Sequence, residues 1–244
     1  MSNGDQTGGR VLITGGSMGI GAAIVRRTLE DGYDCIVLDR TPPVSASAAR
    51  FIGVDLTDGA AIATAVQQAT RDGPVTRIVN NVGINLPAEI EKATAEDLRR
   101  MIDVNVMASV ELVRLLTPGM KAARFGRIVN ITSRSALGRP NLSLYVASKA
   151  AVNGLTRSWA LELAAHGVTV NAVGPGVIDT DLLARTFPPL SERREALERS
   201  IPAGHIGAPE DISGAVSFFL AEATRYVTGQ VLYVCGGTSL VAAS

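Results

Sequence analysis

From Arg10 onward the chain alternates short runs of β-branched residues with longer stretches of helical character, which leaves few architectures open. VLIT (11–14), CIVLD (35–39), RFIGV (50–54), RIVNN (77–81), RIVNITS (127–133), VTVNAV (168–173) and QVLYV (230–234) read as seven strands. Between them the pattern predicts helices over about 19–31, 58–71, 94–117, 143–165, 191–199 and 209–222. Strands this uniformly apolar are buried on both faces, so the expected fold is α/β, a doubly wound parallel sheet of about seven strands with helices on both sides. Ligands of such sheets bind beyond the carboxyl ends of the strands, where the strand order reverses. The chain has 244 residues, 46% of them hydrophobic, enough for one core, so a single domain is expected over 10–244. The polar, Gly-rich residues 1–9 read as a flexible tail, and TPPVSASAAR (41–50) as a loop. Leu182, Leu183, Phe187, Pro188, Pro189 and Leu190 fall in a segment, 181–204, that breaks the alternation and is expected to cover a substrate.

Composition narrows the function. Lys plus Arg and Asp plus Glu number 23 each, so no global field draws the chain to nucleic acid or to an anionic membrane. No apolar run is long enough to cross a bilayer, and the first residues lack a signal core. Cys35 and Cys235 match no metal-ligand or redox spacing and are too few for a disulfide framework. A reducing cytoplasm and a small-molecule ligand are the expectation, with no metal site.

The first strand runs into Thr14-Gly15-Gly16-Ser17-Met18-Gly19-Ile20-Gly21 and then a helical stretch. Glycines there let the backbone turn sharply against a pyrophosphate, and the helix amino end offers free N–H groups and a positive dipole to its charge. The same turn would also serve a tight βα connection with no ligand. The second strand ends in Asp39, 18 residues after Gly21, close to the offset at which an acidic side chain accepts hydrogen bonds from an adenosine ribose. A carboxylate there repels the 2′-phosphate of NADP and favours NAD. Arg40 follows at once, placed either to meet a 2′-phosphate or to stack on adenine.

Tyr145-Val146-Ala147-Ser148-Lys149 opens another helical stretch, and four residues of separation put the phenol and the ammonium on one helix face. With three lysines and four tyrosines in the chain, such a pair arises by chance about one time in twenty.

At this point the chain resembles the short-chain dehydrogenase/reductase family from end to end. T-G-x-x-x-G-I-G (14–21), Asp39, Asp55-Leu56, Asn80-Asn81-Val82-Gly83, Asn105, Ser133, Tyr145/Lys149 and Pro175-Gly176-Val177-Ile178-Asp179-Thr180 occur in the family's order. Two positions depart from it: Val82 stands where Ala is usual, and Cys235-Gly236-Gly237 replaces Asp-Gly-Gly. The resemblance implies a single Rossmann-type domain. It assigns Tyr145 as general acid/base, Lys149 as its electrostatic partner and a ribose ligand, Ser133 as binder of the reacting oxygen, and Asn105 as part of a proton relay. An ordinary phenol titrates near ~10, so the implied chemistry needs the ammonium and a cationic nicotinamide to lower it by ~3 units. The resemblance further places Gly15, Ser17, Met18, Gly19, Ile20 and Gly21 at the cofactor's phosphates. Asp39 and Arg40 fall at its adenosine ribose, with Asp55 and Leu56 at adenine. Asn81 and Gly83 lie beside the ribose, and Pro175, Gly176, Ile178 and Thr180 near the carboxamide.

The activity so implied is NAD(H)-dependent interconversion of a secondary alcohol, or cyclic diol, with a ketone. A second reading within the family is a 3-oxoacyl-carrier-protein reductase, docking its partner on a basic patch to which Lys121, Arg124 and Arg127 contribute; His166 stands where such reductases often carry Arg. A third, of another class, is a non-catalytic dinucleotide-binding module, against which the intact Tyr145, Lys149, Ser133 and Asn105 argue. Broad apolar faces on 94–117 and 143–165 and the apolar C-terminal segment predict a homotetramer.

Overall fold

A computed structural model describes residues 9–43 and 48–240, apart from the side chain of Leu182. The expected tail lies outside these residues except for Gly9, as do 44–47 of the expected loop and the last four residues of the chain.

Seven strands form one parallel sheet: β1 (Arg10–Thr14), β2 (Asp34–Asp39), β3 (Arg50–Gly53), β4 (Arg77–Asn80), β5 (Gly126–Ile131), β6 (Val168–Pro175) and β7 (Val231–Val234). Their order is β3-β2-β1-β4-β5-β6-β7, so the direction of winding reverses between β1 and β4. Alternation along the strands β1 to β6 feeds two cores. Leu12, Ile36, Leu38, Ile78, Ile128 and Val170 point to one face, where they meet α2 (Gly59–Thr70), α4 (Ala108–Ala123) and α5 (Ser143–Leu163). Val11, Ile13, Val37, Val79, Val129 and Val173 point to the other, against α1 (Gly19–Glu30) and α8 (Pro209–Leu220). Among the described residues no helix is long and apolar enough to cross a membrane.

The helix expected over 94–117 differs in two ways. It divides into α3 (Ala95–Ile102) and α4 around a π turn at Asp103–Met107, and it runs through Pro118 to Ala123. A proline inside a helix costs about 3 kcal/mol. Leu116 and Met120, buried on either side of it, contribute about 1.5–3 kcal/mol each, and Pro118 itself is exposed, so the helix continues. It stops at Arg124, which adopts the left-handed conformation (φ 49°). The segment 181–204 carries two short helices, α6 (Asp181–Thr186) and α7 (Glu192–Arg199).

Arg127 is buried and is no part of a surface patch. Its guanidinium stacks 4.3 Å from the Phe125 ring and donates to the carbonyl of Ala221 at 3.2 Å, just past the end of α8. Burial lowers its pKa. Lys121 and Arg124 are exposed, but they precede β5, at the amino end of the sheet.

Candidate active site

The turn after β1 is shaped for close approach. Gly15 and Gly19 have φ of 64° and 53°, and a Cβ on Gly21 would lie 1.9 Å from the Gly15 carbonyl oxygen. No side chain caps the amino end of α1, so its first N–H groups remain for an outside acceptor. Met18 is exposed beside them, and Ile20 packs on the core. Ser17 is buried and ties the turn to the end of β2: its N–H donates to Asp39 Oδ2 at 3.2 Å and its hydroxyl to the Thr41 carbonyl at 2.6 Å. Asp39 Oδ1 accepts from the Arg40 N–H at 2.7 Å, which holds the carboxylate beside the glycine turn while Arg40 stays exposed. These residues fit a dinucleotide, with an anion cradle at the helix end and a fixed carboxylate one strand away.

Thr14 organises the switch point, a role that residue type alone did not signal. Its hydroxyl accepts the N–H groups of Asn81 at 2.9 Å and Val82 at 3.0 Å. The Asn81 amide donates to the carbonyls of Thr14 at 3.0 Å and Gly15 at 2.9 Å. Its amide nitrogen is therefore spent on bracing the turn. Asp55 is exposed and accepts from the N–H and hydroxyl of Thr57 at 2.9 and 2.8 Å, contacts that lower its pKa, and Leu56 is buried in the core.

Around Gly83 the remaining groups converge. A Cβ there would stand 3.2 Å from Lys149 Nζ and 3.3 Å from Asn105 Oδ1. Asn105 sits in the π turn, and its side chain braces the loop after β4 against α5. Its Oδ1 accepts from the Ile84 N–H at 2.7 Å, and its Nδ2 donates to the Ile84 carbonyl and to Ser148 Oγ, each at 3.0 Å. Lys149 is clamped by the end of β5: Nζ donates to the Ile131 carbonyl at 2.8 Å, and the Thr132 hydroxyl donates to the Lys149 carbonyl at 3.0 Å. Burial pushes its pKa from the usual 10.5 to about 8. Tyr145 lies one turn earlier, its ring centroid 5.9 Å from Nζ, and Ser133 stands beside its hydroxyl. Burial raises the phenol pKa and the Ser133 contact only partly opposes it. The lowered phenol expected from the sequence is therefore not a property of the protein alone, because desolvation outweighs the Ser133 contact.

Beyond β6, Pro175 is buried and Gly176 abuts Cys235, whose Cα would be 2.6 Å from a Cβ there. Ile178 is buried and bridges to Gly207, and Thr180 caps α6 while its Cγ2 comes within 3.6 Å of where a Gly19 Cβ would be. The sheet thus brings β1, β4, β5 and β6 ends around one cleft. Among the described residues no cluster of His, Cys, Asp and Glu is arranged to hold a metal ion.

Residues 15–239 match the family model described as Enoyl-(Acyl carrier protein) reductase. The chain is 36% identical to the 3-oxoacyl-[acyl-carrier-protein] reductase FabG of Rickettsia bellii (strain RML369-C), over 97% of this chain and 99% of that one. It is 35% identical to the L-2,3-butanediol dehydrogenase of Corynebacterium glutamicum, over 93% and 96%. Among solved structures, the ligand-free aldohexose dehydrogenase of Thermoplasma acidophilum superposes with TM-score 0.91 at 33% identity, covering 98% of this chain and 97% of that one. ElxO with NADP bound superposes with TM-score 0.89 at 29% identity, covering 94% and 98%.

Proposed function

Since the chain belongs to the short-chain dehydrogenase/reductase family, an oxidoreductase family that binds a nicotinamide dinucleotide, we propose that it interconverts a secondary alcohol, or a cyclic diol, with the corresponding ketone using NAD(H). The observation that carries this reading is the convergence of Tyr145, Ser133 and Lys149 on one cleft beside the glycine turn. When bound, the nicotinamide supplies the hydride acceptor or donor. Ser133 holds the reacting oxygen, Tyr145 takes or gives its proton, and the Lys149 ammonium lowers the cost of the phenolate. Asn105 holds the wall behind them, and the segment 181–204 covers the substrate. A reducing cytoplasm suits the two unpaired, buried cysteines.

Asp39 supports NAD over NADP. Its carboxylate can accept charge-assisted hydrogen bonds from a ribose and would face a 2′-phosphate with like charge, whereas exposed Arg40 offers one solvent-screened pair. We expect kcat/KM for NAD to exceed that for NADP by about a hundredfold, on the order of 2.7 kcal/mol, and Asp39→Ser to narrow the ratio. A screen of secondary alcohols and vicinal diols with each cofactor, followed by NADH or NADPH absorbance, measures both. The likeness to the Rickettsia reductase and to the NADP-bound neighbour favours the second reading, a carrier-protein reductase. Preference for NADPH together with turnover of a 3-oxoacyl thioester would decide for it.

We also expect a homotetramer. Leu161, Phe218 and Tyr226 are 85%, 51% and 99% exposed in the isolated chain, and burying them between copies would remove apolar surface from water. Light scattering at micromolar concentration should report four chains, and a monomer would refute it.

A further inference from the structure

The segment that leaves β6, set over the cleft in the reading above, has no core of its own: among its described side chains from Asp181 to Ser200, none is buried. Backbone hydrogen bonds fix its two ends. Asp179 N–H donates to the Gly207 carbonyl at 2.8 Å at the start, and Ala203 N–H to the Gly236 carbonyl at 3.0 Å at the finish. Between these anchors Arg194 of α7 reaches back fifteen residues, and its Nη2 donates to Asp179 Oδ2 at 2.7 Å. The same guanidinium meets the Phe187 carbonyl through Nη1 at 3.5 Å and Glu198 through Nε at 3.5 Å. It therefore joins the strand end, the connection between α6 and α7, and α7 itself. The other ion pairs of this segment among the described residues, Arg194–Glu198 and Arg199–Glu195, stay inside α7. Arg194 is drawn in until its side chain is 12% exposed, although the helix around it is a polar surface element.

The far partner is placed where the cleft is most sensitive to position. Asp179 stands between Ile178, which is fixed by its bridge to Gly207, and Thr180, which caps α6 and lies against Gly19 of the glycine turn. A charge-assisted bond at Asp179 thus fastens the segment between Ile178 and Thr180, the two neighbours that would face the carboxamide end of the cofactor. We propose that the Arg194–Asp179 pair is the latch that holds segment 181–200 over the cleft, and that Arg194 acts through Asp179 as a positioning residue for Ile178 and Thr180. The latch itself is independent of the activity; only its effect on substrate rests on the dehydrogenase reading above.

Trypsin tests the latch directly, because Arg185, Arg193 and Arg199 are cleavable sites within the cover that Asp179→Asn leaves untouched. Cleavage there should accelerate about fivefold in D179N without cofactor, since local opening sets the rate. In the active enzyme, D179N and R194Q should each raise KM for substrate about fivefold with kcat little changed, the double variant should be no worse than either single one, and R194K should restore most of the loss. Unchanged cleavage in D179N, or additive losses in the double variant, would overturn the proposal. If no alcohol or ketone is turned over at all, the dehydrogenase reading fails while the cleavage rate still decides the latch.

Discussion

Replacing Tyr145 with Phe is expected to lower turnover by about three orders of magnitude while leaving the fold and NADH binding in place. The ring stays half-buried on the first turn of α5, and the substitution removes one hydroxyl whose structural partner is Ser133, a loss of about 1 kcal/mol. That hydroxyl is the group placed to exchange a proton with a reacting oxygen held by Ser133. Circular dichroism and NADH fluorescence should therefore match the unaltered protein, with the deficit confined to kcat. Near-normal turnover in Tyr145→Phe would remove Tyr145 from the chemistry.

The same site gives the reaction a direction in pH. Burial holds the phenol protonated through the neutral range, the state needed to donate in reduction, so ketone reduction should be sustained at neutral and acidic pH. Alcohol oxidation needs the phenolate and should rise with pH. Lys149 releases its own proton near pH 8, which withdraws the neighbouring positive charge and limits that rise. An initial-rate profile in both directions measures the two trends.

What the sequence made legible is what periodicity and glycine encode. The apolar strands appear near their expected places because most of them fill two cores at once, and Gly15, Gly19 and Gly21 appear at a turn that needs two positive φ angles and leaves no room for a Cβ at Gly21. The strand expected to reach Asn81 stops at Asn80 because Asn81 turns to brace Thr14 and Gly15. The π turn at Asp103–Met107 was hidden because the apolar pattern continues across it and one extra residue in a turn leaves no mark in composition. Arg127 looked like a solvated charge because residue type says nothing of the Phe125 ring or of the Ala221 carbonyl that receive it. Arg194 was invisible for the same reason: a charge in a polar helix becomes a cross-link only when the chain folds back on Asp179.

Lys149→Met is expected to inactivate the enzyme and to stabilise the protein. A buried ammonium whose pKa falls from 10.5 to about 8 is worse accommodated in the folded chain than in the unfolded one, by about 3 kcal/mol as an upper bound. Below pH 8 the group is charged in both states, so the full penalty is present. Between about 8 and 10.5 the unfolded chain holds a proton that the folded chain has released, so stability of the unaltered protein rises with pH across that window. Methionine has similar length and no charge. It removes the penalty and leaves the Ile131 carbonyl without its donor, which costs about 1 kcal/mol, for a net gain of about 2 kcal/mol. In a chain of this size that corresponds to a Tm higher by about 4–8 °C at neutral pH, with the rise in stability between pH 8 and 10.5 flattened. Turnover should fall by about a thousandfold, because the phenolate loses its nearest positive charge. A Tm lowered at neutral pH would mean that the ammonium is held by contacts stronger than its desolvation, and the position would then be structural as well as chemical.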